Sequence, residues 1–83
     1  MMQRYFFDLD NRATQLRDEV GIKCRDLEAV RAAAIAALPE MAKEELPDGD
    51  RHEFAVRVRD AEGTYLFQAV LTFKADWLVP PPK

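Results

Sequence analysis

The stretch from Asp26 to Leu46, DLEAVRAAAIAALPEMAKEEL, constrains the fold more than any other part of the chain. It reads as one amphipathic helix, with strand-like segments on either side that must cover its apolar stripe. At ~100° per residue, Leu27, Val30, Ala34, Leu38 and Met41 share a face, with Ile35 and Ala42 on its flank. The opposite side is alanine near the start and charge near the end. Asp26 is a good N-cap, because its carboxylate can accept from the free amides of the first turn, and Glu28 adds negative charge where the helix dipole favours it. Pro39 removes the amide that would bond the Ile35 carbonyl, so a kink or a stop and restart is expected there. Pro47-Asp48-Gly49-Asp50 closes the segment with turn-forming residues.

A stripe of this kind needs a sheet beneath it, and the flanking segments supply one. Gln3 to Asp10 alternates so that Tyr5, Phe7 and Leu9 face the core while Arg4, Phe6, Asp8 and Asp10 face away. Phe6 is the exception on the wet face, and contact with a neighbouring side chain is the simplest account of it. Thr14 to Asp18 returns as a short second strand with Leu16 inward. Glu19-Val20-Gly21 forms a turn in which Gly21 takes positive φ, and Ile22 to Arg25 carries the chain to the helix. His52 to Asp60 alternates, with Phe54, Val56 and Val58 on one side and Ala55, Arg57 and Arg59 on the other.

After the turn Asp60-Ala61-Glu62-Gly63, residues Thr64 to Lys74 form the longest strand. A type I turn with a glycine bulge sets Val58 opposite Leu66, whereas a two-residue loop sets it opposite Tyr65, and the two registers exchange the faces of the last strand. Either way the sheet keeps apolar residues on the face turned from the helix, which points to pairing with another subunit. The expected class is therefore α+β, in the order β-β-α-β-β: a four-stranded antiparallel sheet with one kinked helix on one face.

Eighty-three residues make a single domain (core about 3–74, with an extended proline-rich tail over 75–83) that buries only about 60% of its unfolded surface, so a partner subunit would help it. The one cysteine, Cys24, excludes an internal disulfide and suits a reducing, cytoplasmic setting, and a buried, inert role is expected for it. The N-terminal apolar run is too short for a signal peptide, and none is long enough to span a bilayer. A formal net charge of −3, with twelve Lys and Arg scattered along the chain, argues against general nucleic-acid binding.

No motif carries a reaction. Asp8, Asp10, Asp18 and Glu19 could approach one another across a first hairpin, but three of them sit at turns where acids are common, and no metal site and no cofactor is expected. His52, the only histidine, is expected to be solvated at a strand start. Glycine-rich phosphate loops, nucleophile elbows and paired C-x-x-C motifs are absent, so no catalytic residue is named. Arg4, Phe6, Arg57 and Arg59 can share one sheet face, a candidate binding surface of basic and aromatic groups. In the tail, Trp77 and Leu78 are expected to fold back on the domain, with contact to a partner as the other reading.

The segments RYFFDLD, RDEVG, DLEAVRAAAIAAL and VRDAEG together resemble the small bacterial family catalogued as domain of unknown function 6894. The resemblance runs from about Arg4 to Phe73 and rests on Tyr5, Phe6, Phe7, Asp8, Asp18, Gly21, Asp26, Leu27, Ala29, Val58, Asp60 and Gly63. It implies a compact β-β-α-β-β domain from a bacterial cytoplasm and supplies no activity. The first loop, Asn11-Arg12-Ala13, lacks the glycine often found there in such proteins. A fainter likeness to the N-terminal half of HicB-type antitoxins covers Tyr5 to Leu38. The leading expectation is a non-enzymatic protein–protein interaction or assembly module, most simply a homodimer. An antitoxin-like or nucleic-acid-associated regulator ranks second and a small enzyme third; no membrane partner is expected.

Overall fold

A computed structural model describes residues 2–11, 14–45 and 51–81. Its elements are β1 (Gln3–Asp10), β2 (Gln15–Leu16), β3 (Ile22–Cys24), α1 (Leu27–Glu45), β4 (Arg51–Arg59) and β5 (Tyr65–Lys74). All pairings are antiparallel, in the order β2-β1-β4-β5, with β3 also on β1. The class is α+β, as expected. The second strand of the expected sheet is instead two short strands along one edge of β1, and the segment expected only to lead to the helix is the second of them, β3. Turn Pro47–Asp50 lies outside the described residues.

Strand alternation decides which side chains meet the helix. Tyr5 and Phe7 of β1, with Phe54, Val56 and Val58 of β4, are buried, and the register places Phe7 opposite Val58 and Leu9 opposite Val56. From α1, Val30, Ala34, Leu38 and Ala42 close this core, with Met41 against its margin. Alanine at 34, with no exposed surface, lets the helix backbone approach the sheet closely. Leu27 and Ile35, expected on or beside the apolar stripe, are exposed: the helix contacts the sheet over a narrower arc than its apolar residues cover. Asp26 caps α1 as expected, its Oδ1 accepting from Ala29 N–H at 2.8 Å. Helix α1 is continuous through Pro39, with no stop and restart. Pro39 lies on the exposed side, where water can bond the Ile35 carbonyl it leaves free.

Two other expectations change. Leu16 pairs with Leu9 at the sheet edge yet stays exposed, because a strand of two residues extends beyond the helix's cover. His52 is buried and stacked on Phe54, with ring centroids 4.4 Å apart. It shares the inward parity of Phe54, Val56 and Val58, and that alternation outweighs its polarity.

The β4–β5 hairpin contains both features of the turn. Asp60 N–H donates to Thr64 O at 2.9 Å, and Gly63, at φ 91°, completes a three-residue loop that sets Arg59 opposite Tyr65. One residue further, a bulge at Leu66 moves Val58 opposite Phe67 rather than Leu66 or Tyr65. The bulge turns Phe67, Ala69, Leu71 and Phe73 toward the helix side while leaving Tyr65 with Arg59 on the other face.

Candidate functional site

The outer sheet face, turned from the helix, is largely polar, and its centre is a bonded network. Between β2 and β3 the chain leaves the ladder over 17–21, so Phe6, Phe7 and Asp8 have no strand residue directly opposite on that side. The side chain of Asp18 fills the gap. Its Oδ2 accepts from Phe7 N–H at 3.0 Å, and its Oδ1 accepts from Val20 N–H and Gly21 N–H, each at 3.0 Å. Asp18 N–H in turn donates to Asp8 Oδ1 at 2.9 Å. A carboxylate thus replaces a backbone carbonyl in an interrupted strand pair.

Asp8 is the hub. Arg59 Nε donates to its Oδ2 at 3.0 Å and Nη2 to its Oδ1 at 3.3 Å, a forked pair, and Tyr65 O–H donates to Oδ2 at 2.7 Å. Arg59 Nη2 also donates to Asp18 O at 2.6 Å, and its guanidinium lies 4.7 Å from the centre of the Phe6 ring. Arg59 is thereby 7% exposed, and Phe6 is half-buried beneath it, the neighbour contact expected for that ring.

Burial pushes the Asp8 carboxyl up, but hydrogen bonds from Tyr65, Arg59 and the Asp18 amide, with the Arg59 charge, hold it below the usual carboxylate range. Asp18 follows the same pattern: burial raises it and the amides of Gly21, Phe7 and Val20 prevail, so it too lies low despite the Asp8 charge. The Arg59 guanidinium is raised above its ordinary value, chiefly by its bond to Asp8.

The four residues expected to share a face do share it, but their polar groups are engaged within the domain. Arg4 Nη1 donates to Val20 O at 2.8 Å, Arg57 Nε donates to Gln68 Oε1 at 2.9 Å, and Arg59 and Phe6 belong to the network. Of the four acids considered together, Asp8 and Asp18 meet, with Arg59 and backbone amides as their partners. Glu19 is exposed beside Arg17, and no cluster of histidine, cysteine or acidic residues suited to a metal exists among the described residues. Cys24 is buried, as expected. Tyr65 was expected near the arginines of this face in one of the two registers, but its bond to Asp8 and the ladder role of Asp18 were not foreseen. The spacing of Asp18 to Gly21 hinted at an Asx-type turn, whereas nothing local pointed to a bond between Tyr65 and Asp8, fifty-seven residues apart.

The two sheet edges differ sharply. The β2/β3 edge is short, interrupted and flanked by Arg17 and Lys23. The other edge is β5, ten residues with no proline and a single charge at its last position, and no described strand pairs with its outer side. Natural sheets usually blunt such an edge. Leu66 and Val70 are exposed, and Leu71, on the helix side, is 37% exposed. Beyond it the tail leaves the sheet, held at its start by Arg51 Nη2 donating to Asp76 Oδ1 at 3.0 Å. Trp77, Leu78 and Val79 do not fold back: Leu78 is 95% exposed and Trp77 68%.

Fold and network together define a small α+β domain whose polar centre holds its own sheet and whose β5 edge is unpaired among the described residues. The profile of the family described as Domain of unknown function (DUF6894) matches residues 4–72, and the chain belongs to that family. No curated protein and no solved structure gives a significant match. No helix among the described residues is long and apolar enough to cross a membrane.

Proposed function

We propose that the domain is a non-enzymatic assembly module of the bacterial cytoplasm that associates with a second copy of itself through the free edge of β5. The carrying observation is that ten-residue edge, uncharged from Tyr65 to Phe73, beside an opposite edge that is broken and short. Two β5 strands running antiparallel about a two-fold axis would satisfy each other's outward amides and carbonyls and join the two sheets into one. With Val70 beside its own copy at the two-fold axis, the two Lys74 ammonium groups would fall at opposite ends of the seam, ~27 Å apart over eight residues, so the only charge on the strand would not be opposed by its copy.

This reading moves self-association from the sheet face to the sheet edge, because Phe6 is covered by Arg59 and the outer face is otherwise mostly polar. Light scattering over a wide concentration range tests it: the mass should double, and Val70→Asp, at an exposed seam position, should return it to the monomer with an unchanged far-ultraviolet circular dichroism spectrum. A wild-type protein monomeric at the highest concentration refutes it.

A further inference from the structure

Two charges of opposite sign stand face to face on the outer sheet without joining. The register places Asp8 of β1 directly opposite Arg57 of β4, a position at which opposite charges stabilise a sheet by pairing. Here Asp8 is already taken: its Oδ1 accepts from Asp18 N–H and Arg59 Nη2, and its Oδ2 from Arg59 Nε and Tyr65 O–H. A carboxylate accepts about four hydrogen bonds, so nothing is left for Arg57. Arg57 instead donates through Nε to Gln68, and its terminal nitrogens have no partner among the described residues.

Between these strands the outer face holds a hollow of about 200 Å³, with Asp8, Asp10, Gln15, Arg17, Arg57 and Tyr65 on its border. The next outward residue of β4 is Ala55, opposite Asp10, so no long side chain from β4 fills the space beside that acid. The volume is many times the ~10–15 Å³ that one water needs and less than the ~300 Å³ at which pockets for drug-sized ligands begin, so it suits a small molecule. Its border carries two carboxylates and two guanidinium groups. A simple anion would meet the arginines with both acids beside it, and a simple cation the reverse, whereas a ligand bearing both charges complements both walls. Neighbouring strands lie ~4.8 Å apart, so the two charges of that ligand must be close together.

We propose that this hollow binds a free α-amino acid as its zwitterion, the carboxylate on the terminal nitrogens of Arg57 with Arg17 alongside, and the ammonium on Asp10 with the Asp8 charge behind it. The planar carboxylate matches the fork of a guanidinium. Asp10 can take the ammonium beside the contact it already makes, since a carboxylate accepts several bonds. The bonds of Asp8 to Arg59 and Tyr65 fix one wall before any ligand arrives, which lowers the cost of binding. The site opens on the sheet face and does not rest on the β5 pairing.

Because the recognised groups are the α-ammonium and the α-carboxylate, L-alanine is a sufficient probe. Titrated into isotope-labelled protein, it should shift the amide resonances of Asp10, Gln15 and Arg57 saturably, with a dissociation constant of about a millimolar for so small a ligand. Propionate, ethylamine and ε-aminocaproate, which lack one charge or hold the two far apart, should each bind about tenfold more weakly or worse. Arg57→Gln and Asp10→Asn, both outside the core, should weaken L-alanine about tenfold with an unchanged circular dichroism spectrum. A titration of L-alanine without saturable shifts overturns the site. Propionate binding as tightly as L-alanine overturns the zwitterion, and saturable shifts that survive Arg57→Gln undiminished overturn the placement.

Discussion

Replacing Asp18 by alanine tests the central structural claim, that a single carboxylate stands in for a missing stretch of strand. Three backbone N–H groups lose their acceptor. The Val20 amide is exposed and can bond water, so its loss costs little. Those of Phe7 and Gly21 are partly buried, and each loses a hydrogen bond to a charged acceptor, about 1–2 kcal/mol apiece in such half-shielded surroundings. Arg59, which donates to the Asp18 carbonyl, also loses the loop geometry that positions this acceptor. The expected loss is ~2–4 kcal/mol, a large share of the stability of a small domain. With an m value of about 1–1.5 kcal/mol per molar urea, the unfolding midpoint should fall by ~1–4 M, read by circular dichroism. Asp18→Asn should recover about half of the loss, because its carbonyl can serve one pair of donors while its amide nitrogen meets the remaining N–H. An unfolding free energy for Asp18→Ala within about 0.5 kcal/mol of the wild type would refute the ladder role.

Asp8 and Asp18 have folded-state pKa values below their unfolded ones, so their contribution to stability is complete above the unfolded value of ~3.9 and is lost as pH falls through the lower folded values. The urea midpoint should therefore drop steeply below pH ~4, with a shallower dependence in Asp18→Asn. Gly21 and Gly63 both have positive φ, but a Cβ at Gly21 would lie 2.8 Å from Arg4 Cγ and 3.0 Å from Tyr5 O, whereas Gly63 faces open space. Gly63→Ala should cost about 1 kcal/mol from backbone strain alone and Gly21→Ala clearly more, compared by thermal unfolding. Pro39→Ala restores an amide to a continuous exposed helix segment and should stabilise the fold by about 1–2 kcal/mol, less than the full proline penalty because the unfolded chain regains freedom.

Much of this architecture is written in local signals. The capped start of α1, the inward set Val30, Ala34 and Leu38, the alternation of β1 and β4, and the positive φ of Gly21 and Gly63 each follow from a few neighbouring residues, whose spacing, cap chemistry or backbone freedom leaves one low-energy choice. The same alternation places His52 inward, a consequence that its polarity concealed. Tertiary structure decided the rest. The face presented by β5 depends on one extra residue at Leu66, which no periodicity within the strand reveals, because the bulge exists only in register with β4. The network of Asp8, Asp18, Arg59 and Tyr65 joins residues up to fifty-seven positions apart, and each of them taken alone is an ordinary turn acid or strand residue. Whether the arginines of the outer face were free or engaged turned on the same geometry. Local chemistry sets how each segment folds, but which polar groups are left over is decided only when distant strands meet, since hydrogen bonds and ion pairs are satisfied across the sheet rather than along the chain.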